Sequence, residues 1–74
     1  MSNSRCDLSA ELERRLTPSE YEAAREDLDN ACYWCEQGND ERVRDFLICA
    51  ISELKSKGEM HAAKIIKDDY LIFF

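Results

Sequence analysis

Apolar residues recur along this chain at helical spacing in four successive segments, and no segment alternates with the period of two that a half-buried strand requires. Leu8, Leu12 and Leu16 make one stripe over residues 8–16, with Asp7 as the expected cap. Tyr21, Ala24, Leu28, Ala31, Cys32 and Cys35 share a face about 100° wide over residues 18–37. Val43, Phe46, Leu47, Ala50, Ile51 and Leu54 follow the helical template most closely, over residues 40–57. Ala62, Ala63, Ile66, Tyr70 and Phe73 share a face over residues 59–73, with a narrower second stripe of His61, Ile65 and Ile72. The final Tyr70–Phe74 run is wholly apolar or aromatic, so periodicity alone fits either a last helical turn or a short extended tail there.

Punctuation agrees with this division. Thr17-Pro18-Ser19-Glu20 carries the marks of a helix start, with Thr17 as N-cap, Pro18 in the first helical position and Glu20 closing a capping box. Gly38 and Gly58 fall where a helix C-terminus favours a left-handed residue. Glu11–Arg15, Asp40–Arg44 and Glu53–Lys57 are spaced as supporting i,i+4 pairs. The connections are short, so consecutive helices should pack antiparallel. The expected fold is an all-α single domain over residues 1–74, a compact bundle of about four short helices with the second and third as its central hairpin.

Composition adds a constraint on stability. A chain of 74 residues with 45% apolar content folds, but its core is small and the balance against chain entropy is narrow. A partner subunit, a metal or a disulfide often supplements such a core. The N-terminal Met1–Arg5 stretch lacks an apolar signal core, and no apolar run reaches the roughly 20 residues of a membrane span. These features place the protein in the cytoplasm, where Cys6, Cys32, Cys35 and Cys49 are expected to stay reduced.

Charge is unevenly spread. The net charge is −6; residues 7–41 carry eleven acids against three bases, and residues 42–74 five acids against six bases. An acidic chain repels phosphate, which argues against direct nucleic-acid binding. Glu22, Asp29 and Glu36 recur every seven residues opposite the apolar face of the second helix, with Glu26 beside them. They define an acidic surface that would steer a basic partner. The alternative use is mimicry of a phosphate backbone toward a DNA- or RNA-handling protein. A row repeating every two turns, about 10.5 Å, is coarse for that purpose.

No enzyme constellation can be assembled from these residues, and none implies a cofactor. Cys32-Tyr33-Trp34-Cys35 has the C-x-x-C spacing of redox sites, but it sits at the end of a helix, where the dipole raises a thiol pKa. Cys32 and Cys35 are better read as small core residues. A zinc-stabilised regulatory domain is the alternative for that pair, with Cys6, Cys49 or His61 completing the ligand set.

More informative are apolar residues that the four stripes leave over. Tyr33, Trp34, Ile48, Ile65, Leu71 and Ile72 lie off the main faces, and Tyr70, Phe73 and Phe74 close the chain. Several such residues on so short a chain imply a second buried surface. The expected function is therefore that of a non-enzymatic protein-binding module, an inhibitor, adaptor or regulator. These nine residues would anchor a protein partner or a second copy in a homo-oligomer, with no membrane involved.

Overall fold

The fold is seen in a computed structural model whose described residues are 7–74. Among them five α-helices succeed one another: α1 (Leu8–Arg15), α2 (Pro18–Ala23), α3 (Arg25–Glu36), α4 (Asp40–Ser56) and α5 (Met60–Ile65). A π-helical turn (Ile66–Tyr70) and a 3₁₀ turn (Leu71–Phe73) continue α5 to the chain end. The described residues contain no strand, and the all-α bundle is the fold.

The central element is the antiparallel α3–α4 hairpin, which makes the most extensive interface in the molecule. Leu28, Ala31, Val43, Leu47, Ala50 and Leu54 are fully buried there. α5 and the turns after it pack on another side of α4, and α1 closes the core through Leu8, Leu12 and Leu16. No charged residue is buried among the described residues, and no buried side-chain polar atom there lacks a hydrogen-bond partner.

Both ends of α4 are set by local chemistry. The Asn39 side chain accepts from the Arg42 amide at 3.1 Å and caps the start. At the α3 end, Gly38 takes φ +79 and donates to the Cys35 carbonyl, while the Asn39 amide reaches back to Trp34. The α4 end repeats this geometry: Gly58 takes φ +81 and donates to Lys55, and the Glu59 amide reaches Leu54. Both are Schellman turns. The capping box at Thr17 and Glu20 is complete, with bonds of 2.9 and 3.1 Å.

Two elements depart from the expected ranges. The expected helix over 18–37 breaks at Ala24, whose φ and ψ of −133 and 33 lie outside the helical region. Alanine is the best helix former, so no local signal marks the break. Tertiary packing imposes it. A straight helix of that length would run about 30 Å, whereas the bend lets α2 contact both α1 and α4. Ala24 is buried at the bend, and Lys57 at the end of α4 donates to the Ala23 carbonyl at 2.7 Å.

The second departure is the π-helical turn within the expected helix 59–73. A wider turn accommodates an additional residue and shifts the register of the residues after it. Ala62, Ala63, Ile66 and Tyr70 keep their inward face, but Phe73 turns outward and Phe74 packs against the core in its stead.

At Gly58, a Cβ would meet nothing within 4 Å, so a substitution there has only a backbone cost. Gly58→Ala should lower stability by about 1–2 kcal/mol in urea unfolding, and Gly58→Asn by less, because asparagine tolerates the left-handed region.

Candidate functional site

Two clefts mark the surface of the bundle, one with aromatic walls and one almost wholly polar, and both are lined by carboxylates. One end collects the start of α1, the end of α3, the start of α4 and the chain terminus. The other collects the α2–α3 break and the end of α4.

At the first end, the π-helical turn delivers Tyr70 to the last turns of α1. Tyr70 is buried, and its hydroxyl donates to Glu11 Oε1 at 2.9 Å and accepts from Arg15 Nη1 at 3.2 Å. Arg15 also donates through Nη2 to Asp69 at 2.7 Å, and its guanidinium lies 5.7 Å from the Tyr70 ring centroid. Glu11 additionally pairs with Arg14. The expected Glu11–Arg15 pair is thus replaced by a relay in which Tyr70 stands between the two. The Tyr70 bond, then the Arg14 bond, hold the Glu11 carboxyl below its ordinary range. Burial, then the Glu11 contact, raise the Tyr70 phenol.

Beside this relay lies a cleft of about 420 Å³, lined by Asp7, Leu8, Glu11, Arg15, Cys35, Asp40, Asp69, Tyr70, Phe73 and Phe74. Phe73, which lines it, is 71% exposed, and its neighbour Ile72 is 70% exposed, although both belong to a helical turn. Phe74 and Leu71 are half-buried against the core. Near the same end, Tyr33 is exposed and stands edge-on to Trp34, with ring centroids 5.0 Å apart. Trp34 is half-buried, and Arg42 lies 5.1 Å over its ring.

The remaining apolar candidates are scattered. Ile48 is exposed on α4, and Ile65 is half-buried against the core. Met60, which the sequence pattern did not single out, is 56% exposed. Of the nine expected anchors, Tyr70 is therefore an internal strut, Trp34, Ile65, Leu71 and Phe74 are shared between core and surface, and Tyr33, Ile48, Ile72 and Phe73 are exposed.

The expected acidic surface divides. Glu22, Glu26 and Asp29 line a separate cleft of about 500 Å³ at the α2–α3 break, together with Asp27, Glu53, Arg25 and Lys57. Arg25 pairs with Glu22 at 2.9 Å and approaches Asp29 at 3.8 Å, and the Tyr21 hydroxyl donates to Asp29 at 2.7 Å. Lys57 pairs with Glu53 at 3.1 Å. Asp27 keeps a raised pKa through burial and then the repulsion of Glu53 and Glu26. Glu36 lies at the other end of α3. The ridge is thus broken and partly neutralised, which weakens any likeness to a row of phosphates.

The cysteines revise two expectations. Cys35 is disulfide-bonded, so the four thiols are not all reduced, and its sulfur is not available as a zinc thiolate. Disulfides persist in oxidising compartments. Cys32 is a free thiol pushed up to about 11 by burial first, against the pull of bonds with Ser9 and Tyr21. It is a poor nucleophile and a poor metal ligand. Cys49 is free and exposed. Cys6, the other cysteine considered as a zinc ligand, lies outside the described residues. Among the described residues, no group of three or more His, Cys, Asp or Glu side chains is placed to hold a metal. No helix among them is long and apolar enough to cross a membrane.

No known protein family, curated protein or solved structure matches this chain.

Sequence reasoning missed Arg15, Glu11, Asp69, Asp7 and Asp40 as neighbours of the terminal aromatics. Nothing local links residues so far apart in the chain; the packing of the chain terminus against α1 brings them together.

Removing the Tyr70 hydroxyl tests the relay. Tyr70→Phe should lower stability by about 1 kcal/mol near neutral pH. Glu11 is held below its ordinary value of 4.5, so its contribution is complete above that value and is lost as pH falls through the folded value. The gap between wild type and variant in urea unfolding should therefore narrow in acid. A gap independent of pH would mean that Glu11 does not depend on Tyr70.

Proposed function

We propose that this protein is a non-enzymatic protein-binding module, an inhibitor, adaptor or regulator, and that the end of the bundle carrying Phe73 is its docking surface. The observation that carries this reading is the exposure of Ile72 and Phe73, 70% and 71%, in a turn anchored on both sides by Tyr70 and Phe74. Large apolar side chains presented from ordered backbone lose little entropy on binding. Tyr33 and the Trp34–Arg42 pair extend the aromatic surface, and aromatic residues with arginine are the usual interface anchors.

The acids that share a cleft with Phe73, namely Asp7, Glu11, Asp40 and Asp69, favour a partner with a basic face. The acidic cleft at the far end adds long-range attraction without sharing the contact. Self-association through Ile72 and Phe73 is the homo-oligomeric form of the same reading, since a second copy would cover the same apolar side chains.

Affinity capture from a native lysate, with the intact complex weighed by mass spectrometry, tests the proposal. Phe73→Ala should reduce capture by roughly thirtyfold, about 2 kcal/mol, with helix content unchanged. Charge reversal at Glu22, Glu26 and Asp29 should slow association and leave the complex intact. If the Phe73 variant captures as well as wild type while charge reversal abolishes binding, the acidic end is the contact and the proposal fails.

A further inference from the structure

The cleft beside Tyr70 combines two features that together select a ligand chemistry. Its walls are apolar and aromatic, with Leu8, Tyr70, Phe73 and Phe74. Its charged groups are four carboxylates, Asp7, Glu11, Asp40 and Asp69, against one base, Arg15. Arg15 is already engaged by Tyr70 and Asp69, and Glu11 by Tyr70 and Arg14. Among the described residues, the side chains of Asp7 and Asp40 have no ion-pair or hydrogen-bond partner. The cleft therefore carries a net negative charge beside aromatic side chains, with Asp7 and Asp40 exposed at the surface. At about 420 Å³ it falls in the range of sites that enclose a side chain or small ligand.

We infer that this cleft takes an arginine side chain of the partner protein, its guanidinium against the Phe73 and Phe74 rings and its charge facing Asp7 and Asp40. This inference rests on the docking surface proposed above and names what that surface selects. A planar guanidinium suits both neighbours, because it stacks on aromatic faces and binds carboxylates through paired N–H donors. The molecule already makes such stacks internally, with Arg42 over Trp34 and Arg15 over Tyr70. A partner that inserts an arginine would at the same time cover the exposed Phe73 in the cleft wall.

The probe is the peptide acetyl-Leu-Arg-Leu-amide, titrated into the whole protein and followed by amide chemical shifts in NMR. Its control replaces arginine with citrulline, which keeps the shape and loses the charge. The arginine peptide should shift Leu8, Asp40 and Tyr70 to Phe74 and saturate. Citrulline, or the variant Asp7→Asn with Asp40→Asn, should weaken binding by about tenfold or more, as expected for loss of a charge-assisted hydrogen bond. Equal binding of both peptides overturns the inference. Shifts centred on Glu26 and Glu53 would mean the far cleft attracts the charge, and also overturn it. So would shifts at Phe73 that track protein concentration without peptide, because a second copy would then own the surface. If lysate capture depends on Phe73 but the peptide does not bind, the docking surface stands and the arginine pocket falls.

Discussion

One antiparallel contact organises the molecule. α3 and α4 bury their apolar faces against each other, and the other elements settle around that pair. The contact is possible because the chain turns back within a few residues at Gly38, whose left-handed backbone closes one helix while Asn39 caps the next. Around it the core is small and wholly apolar among the described residues. A core of this size has little surplus free energy, so the few directional interactions at its margins decide where peripheral elements settle.

Two of those marginal interactions shape the surfaces. Lys57 takes up the Ala23 carbonyl at the α2–α3 break, and Tyr70 stands between Glu11 and Arg15 at the chain terminus. Both join residues distant in sequence, and both sit where the backbone leaves regular α-helix. The first lets α2 fold onto α1 and α4, gathering the acids of the break into a cleft. Beside the second, Phe73 points outward and a cleft with aromatic walls lies against Tyr70. The two clefts, one polar and one with aromatic walls, thus both lie beside backbone irregularities.

Those irregularities limit what could be read from the sequence. The apolar stripes at Leu8–Leu16, Ala24–Cys35 and Val43–Leu54 predict the buried faces because helix period and core contact are the same constraint. The stops at Gly38 and Gly58 and the start at Thr17 are legible because they depend on residues within one turn. The break at Ala24 is not legible, since alanine offers no local reason to leave a helix. The π-helical turn is equally silent: helical periodicity groups Phe73 with the inward face of Ile66 and Tyr70, whereas Phe73 is exposed, as its place among the expected anchors required, and Phe74 packs against the core. The disulfide at Cys35 is hidden for another reason: its spacing to Cys32 draws attention to the wrong pairing, and thiol pairing depends on chain distances that spacing does not encode.

The central claim is that the chain terminus is an ordered, half-turned-out aromatic surface, with Tyr70 inside and Ile72 and Phe73 outside. Solvent paramagnetic relaxation of side-chain protons, measured on dilute protein with a soluble gadolinium chelate, reads this directly. Phe73 and Ile72 should relax strongly and Tyr70 and Ile66 weakly, with helical amide protection extending into the final turns. Protection of Phe73 equal to that of Ile66 would place the aromatic inside the core and contradict the account.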